Sequence, residues 1–353
     1  MLCISAFLVV PHGIEGAQWL AAQDDPAALS ELGLAKGFDA QAAAREIEAA
    51  LDAGDVELAE SFVALARERG VVLDPGLIGK VEAGATATAT TRHSVGQFVR
   101  GFVIGEPDDL ASLAGTATGD LFVFGDARDA LREGVRLARG EEADELILGL
   151  ACVGLAITAG TYASLGVGVP ARVGMSVIKA ARRAGRIGAQ LGSAVMRSLR
   201  DSVDRAALKN AFTRTALISP ALAVRAAREA VKVDKAGGLV HLMRDLGQVQ
   251  AKAGTRGAMD ALKVAEHPQD VSRLARLAES KGLKTRAIVK LLGRGAIMLT
   301  AASFNLALWL ITALANLLML CAAVKRTAER ATQHVMHRRK ARRQPLAATA
   351  PAG

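Results

Sequence analysis

Disulfide chemistry has little to work with in this chain, since its 353 residues include only three cysteines, Cys3, Cys152 and Cys321. Each lies in a strongly hydrophobic stretch and none in a polar block. No disulfide therefore staples a soluble domain, and no CxxC or Cys/His spacing suggests zinc. Aromatic residues are as scarce, at 3% with a single tyrosine, which argues against an aromatic-rich β fold. With Ala, Leu, Val and Gly abundant, the chain is expected to be mainly α, its helices packed through small side chains. Catalytic signatures are missing too: there is no GxxxxGKS/T, GxSxG or HExxH, and no Rossmann fingerprint after a strand. No catalytic residue, cofactor or metal site is expected, and the chain is read as something other than an enzyme.

The charges present are sorted by sign. Residues 1–145 hold 11 Lys and Arg against 25 Asp and Glu, a net −14. Residues 171–294 hold 25 against 9, a net +16, and residues 325–353 hold 8 against 1, a net +7. The stretches between these blocks, 146–169 and 295–324, carry no charge at all.

A helix needs about 20 apolar residues to cross a ~30 Å hydrocarbon core. LILGLACVGLAITAGTYASLGVGV, residues 146–169, meets that length, and residues 295–324 exceed it. The fold class expected is therefore a mainly α integral membrane protein with at least two transmembrane helices and helical extramembrane domains. In the first stretch Ala156, Gly160, Ser164 and Gly168 continue a four-residue spacing from Cys152, one small-residue ridge for helix packing. In the second, Asn305, Thr312 and Asn316 share a face and could hydrogen-bond across a helix pair. No ionisable residue lies inside either stretch, so an ion relay lacks its usual parts.

Orientation is read from the flanks. Acids 141, 142, 144 and 145 precede the first stretch and Arg172, Lys179, Arg182, Arg183 and Arg186 follow it, so the basic side belongs to the cytoplasm. That divides the chain into an acidic helical extracytoplasmic domain at 13–145, a span at 146–169, a basic helical cytoplasmic domain at 170–294, a transmembrane or re-entrant helix at 295–324, and a basic disordered tail at 325–353. The opening MLCISAFLVVPHG has ten apolar residues without a basic region before them, and residues 1–12 are read as the remnant of a signal or anchor segment.

Within the acidic block, residues 40–70 read as an αα-hairpin around Ala53-Gly54-Asp55, with Asp55 as an N-cap and Gly70 as a stop. AGATATATT, residues 83–91, reads as a linker. Leu121 to Phe124 read as a short strand or apolar turn, after which Asp126 would cap a helix running to Arg139. Asp126 and Asp129 belong to a run of acids that caps and solvation explain without a metal.

The basic block reads as amphipathic helices. Ile187, Leu191, Val195, Leu199 and Val203 form an apolar stripe beside Arg182, Arg183, Arg186, Arg197 and Arg200. Two placements stay open for it: a helix on an anionic leaflet, with Arg182, Arg183 and Arg186 on lipid head groups, or a bundle helix with a solvated face. The five basic residues between Arg338 and Arg343 have no aromatic platform beside them, which speaks against nucleic acid as a partner.

GDLFVFGDARDALREG, ELILGLACVGLAITAG and DVSRLARLAESKGLKTRAIVKLLGRGA together resemble an uncharacterised group of bacterial inner-membrane proteins over residues 100–300. The resemblance implies membrane placement and no activity. The function expected is thus a multi-pass, membrane-anchored interaction or scaffold protein of the bacterial inner membrane, contacting anionic lipid and a protein partner or further copies of itself. The alternative is an oligomeric small transport or channel component lined by the Asn305, Thr312, Asn316 face.

Overall fold

The computed structural model describes residues 16–87, 110–163, 169–215, 220–298 and 302–343. The chain is mainly α-helical, with no strand among the described residues beyond an isolated bridge between Val203 and Val231. It forms two units, one of Asp25–Met298 and one of Met1–Asp24 with Leu299–Gly353.

The larger unit begins with α1, Pro26–Leu34, whose N-cap Asp25 accepts from the amides of Ala27 and Ala28. Helices α2, Ala40–Asp52, and α3, Val56–Glu68, follow as an antiparallel pair, each started by an aspartate cap, Asp39 and Asp55. Gly54 makes the turn between them at φ 67, a left-handed conformation that side chains resist. Ala43, Ile47 and Ala50 of α2 and Phe62, Leu65 and Ala66 of α3 are buried, because their spacing sets them on one face of each helix.

Helix α4, Leu110–Arg139, runs unbroken through residues 121–126, where a strand or turn was expected. Asp126 therefore lies inside the helix and is not its cap. A turn at Gly140 leads to α5, Glu145–Ala163, capped by Asp144 Oδ1 accepting from Leu146 and Ile147 amides at 3.1 and 3.2 Å. Around α5 pack α4, α6 (Val169–Arg183), α7 (Ala189–Ser202) and, beyond α8 (Arg205–Thr215), α9 (Pro220–Glu229).

Helix α5, the first of the two expected spans, is packed inside the larger unit. Leu146 to Val153 and Leu155 are buried by protein, with Leu150, Ala151 and Cys152 wholly inaccessible. The acidic and basic blocks lie in one unit and are ion-paired to each other. The charges flanking the stretch neutralise one another: Arg182 meets Asp144, and Arg200 and Arg205 meet Glu145.

Helices α6 and α10, Gly237–Val264, make the closest crossing. A Cβ on Gly174 would collide with the carbonyl of Met243, and one on Gly247 with the carbonyl of Pro170. Two backbones can meet only where neither carries a side chain. Helix α11, Pro268–Lys281, packs on α10 and is started by a reciprocal cap between His267 and Asp270, after which α12, Thr285–Leu292, docks on α3. Ser61 Oγ fixes that docking, donating to the Leu283 carbonyl at 2.7 Å and accepting from the Ala287 amide at 2.9 Å.

The smaller unit contains α13, Ala302–Arg343. Within it Leu310–Gln333 is the one helix among the described residues long and apolar enough to cross a membrane, 24 residues at mean hydropathy 1.4, with none of it buried. Residues 83–87 of the expected linker are helical, while residues 1–12, 88–91 and the chain after residue 343 lie outside the described residues.

Candidate functional site

Three clusters of charge join the halves of the larger unit. In the first, the Arg286 guanidinium, 5% exposed, spans Asp55 and Asp260, and Arg256 reaches Asp55 as well. The hydrogen bonds from Arg286 hold the Asp55 carboxyl down at about 2, against an opposing push from burial. In the second, Lys281 Nζ donates to Glu31 and to Glu68, whose other oxygen takes Lys284 at 2.8 Å. In the third, Lys179 Nζ donates to Asp126 at 2.6 Å and to Asp129 at 3.1 Å, and Arg183 adds a second cation to Asp129.

The third cluster is the most deeply buried. Burial lifts the Asp126 carboxyl above its ordinary range despite Lys179, whereas for Asp129 the pull of Lys179 and Arg183 outweighs burial and the carboxyl is lowered. Cys152, wholly buried near both Lys179 and Asp126, has its thiol pushed up to about 12 by burial. Arg172 is 7% exposed, and its Nε and one terminal nitrogen find no hydrogen-bond partner. Among the described residues no group of three His, Cys, Asp or Glu is arranged to hold a metal; Asp126 and Asp129 meet lysine and arginine.

The predicted helix-packing residues divide. Ala156 is half-buried against the core, and Gly160 lies on α5. Ser164 and Gly168 fall outside the described residues. The close contacts of α5 come from glycines off that ridge: a Cβ on Gly154 would strike the Asp126 carboxylate, and one on Gly149 would press on Leu199. Asn305, Thr312 and Asn316 all lie on α13, where Asn316 Nδ2 donates back to the Thr312 carbonyl at 2.9 Å.

The predicted lipid-contact arginines divide as well. Arg183 turns to the buried Asp129, Arg186 stands exposed at the turn after α6, and Arg182 lines a groove. That groove, of about 500 Å³, runs between the end of α6 and the start of α7, with Arg182, Arg197 and Arg200 on its walls and Leu146, Ile187 and Met196 as its apolar lining. The apolar stripe of α7 faces inward, with Leu191, Val195, Leu199 and Val203 buried, which leaves the arginines on the open side. Period alone located the stripe but not its partner; the grouping of Arg182 with Arg197 and Arg200 needs the turn at Gly185 and Gly188 that folds α7 back beside α6.

No family model, no curated protein and no solved structure matches this chain.

Proposed function

We propose that this chain is a membrane-tethered helical scaffold, held at the bilayer by a single crossing of α13. The exposure of that helix carries the reading: eight large apolar residues between Leu310 and Val324 are open, Ile311 at 66%. Residues 302–324 carry no charge and make about 35 Å of helix, close to the ~30 Å of a hydrocarbon core. Each central Leu or Ile then favours the bilayer by about 0.3–0.6 kcal/mol. Lys325, Arg326 and Arg330 follow at once, at the depth where head groups begin.

The resemblance to bacterial inner-membrane proteins points to that membrane. The larger unit offers a helical surface whose charged clusters join its own elements, which suits a binding role. The burial of Leu146–Leu155 in the unit favours one crossing over two, and so the scaffold over a transport role.

Membrane extraction tests the tether. The full chain should stay with the membrane pellet after carbonate washing at high pH, and Leu314→Arg with Leu317→Arg should release it. A wild-type chain that washes free would overturn the proposal.

A further inference from the structure

We propose that the groove between α6 and α7 binds the phosphate of a phosphate ester. Its walls carry three guanidiniums, Arg182 from the last turn of α6 and Arg197 and Arg200 from adjacent turns of α7. Two of them are aimed by carboxylates behind them: Arg182 Nε donates to Asp144 at 3.0 Å, and Arg200 reaches Glu145 at 3.5 Å. Each of these contacts engages one edge of a guanidinium that has five donors, so the other edge is held toward the opening. Glu145 is shared with Arg205, which draws more of its charge away from the groove. Arg197 is exposed and makes no ion pair among the described residues. The result is a concave surface with donors on several walls and a surplus of positive charge.

A phosphate group suits that arrangement better than a carboxylate does. Its oxygens point in tetrahedral directions and so accept from donors on more than one wall, whereas a carboxylate presents one plane. The rest of the groove says what is attached to the phosphate. About 500 Å³ exceeds what one inorganic ion fills, and Leu146, Ile187 and Met196 give the remainder an apolar wall. Gly188 and Gly192 keep its floor low, and no side chain caps the first turn of α7, which opens on the same space. A phosphate ester with a small organic group, from a lipid head group or a soluble metabolite, has the matching chemistry.

Calorimetric titration of the full chain in neutral detergent micelles tests this, and needs no bilayer crossing by α13, so it fails independently of the tether. The probes are glycerol 3-phosphate and the short-chain lipid dihexanoyl phosphatidylglycerol. Saturable binding of the lipid alone assigns a head-group site; saturable binding of glycerol 3-phosphate, with or without the lipid, assigns a site open to soluble esters. Either outcome requires that Arg197→Gln weaken binding about 10-fold, the loss of one charge-assisted contact. Because Arg197 is exposed and unpaired, that variant keeps the wild-type melting temperature. Arg45→Gln, exposed on α2 and away from the groove lining, removes the same charge elsewhere and should change nothing. Binding of neither probe, or equal weakening by both variants, would overturn the proposal.

Discussion

Arg286 grips Asp55 with two parallel hydrogen bonds, one terminal nitrogen donating to Oδ1 at 2.9 Å and the other to Oδ2 at 2.8 Å, across 231 positions of sequence. A planar guanidinium facing a planar carboxylate is the geometry in which an ion pair is strongest, and here the arginine side chain is almost wholly buried. The contact ties the first helix pair of the larger unit to its last helices.

Replacing Arg286 by Met should therefore destabilise the protein by about 3 kcal/mol or more, since Asp55 and Asp260 lose their shared cation in a partly desolvated site. The pair also sets a response to acid. Asp55 titrates at about 2 when folded and near 3.8 when free, so its contribution is full above the upper value and fades as pH falls toward the lower. Melting temperature recorded from pH 6 down to pH 2 should drop more steeply in the wild type than in Asp55→Asn.

The crossing of α6 and α10 should tolerate no side chain. Gly174→Ala or Gly247→Ala sets a Cβ against a backbone carbonyl, which cannot rotate away, and a loss of about 3 kcal/mol or failure to fold is expected. Gly79 is the control, because a Cβ there meets nothing within 4 Å in a helical stretch. Gly79→Ala should leave the protein unchanged or stabilise it by up to about 1 kcal/mol. Chemical denaturation of the three variants decides; a loss in Gly79→Ala as large as in the others would contradict the close approach.

Asp126 and Asp129 share Lys179 yet should answer differently to mutation. Burial already works against the charge on Asp126, so Asp126→Asn should change stability by no more than about 1 kcal/mol. Lys179→Met strips both carboxylates of their common partner and should cost about 3–5 kcal/mol. Equal effects from the two substitutions would show that Asp126 is held as a full ion pair.

Labelling from one side of the membrane checks the placement of the two charge blocks. With the native cysteines replaced, reporters at the exposed positions Lys80→Cys and Gln190→Cys should react with an impermeant maleimide from the same side, because both lie in one unit. Reaction from opposite sides would restore residues 146–169 as a crossing and refute the packing of α5.

Helix content was legible in the sequence, and for local reasons. Around Gly54 the buried positions recur at helical spacing, Asp55 supplies an oxygen for the Leu58 amide, and Gly54 takes the positive φ of the turn. Everything needed lies within a few residues. The environment of Leu146–Leu155 was not legible, because an apolar run of that length satisfies a bilayer and a protein core alike. What distinguishes them here is Lys179 meeting Asp126 some 53 positions away, a pairing that no periodicity encodes. The same holds for the groove: Arg182, Arg197 and Arg200 were legible as the basic side of one apolar stripe, but the turn at Gly185 that folds α7 back beside α6 and makes a groove of them was not.

The long reach from Asp55 to Arg286 also has a consequence in time. A ribosome adding about 5–20 residues each second needs roughly 10–50 s to make the partner after the carboxylate has emerged. Over that interval the nascent chain displays Leu146–Leu155 before α6, α7 and α9 exist to cover it. To the machinery that inspects emerging polypeptides, an interior helix of this protein is, for those seconds, indistinguishable from an anchor.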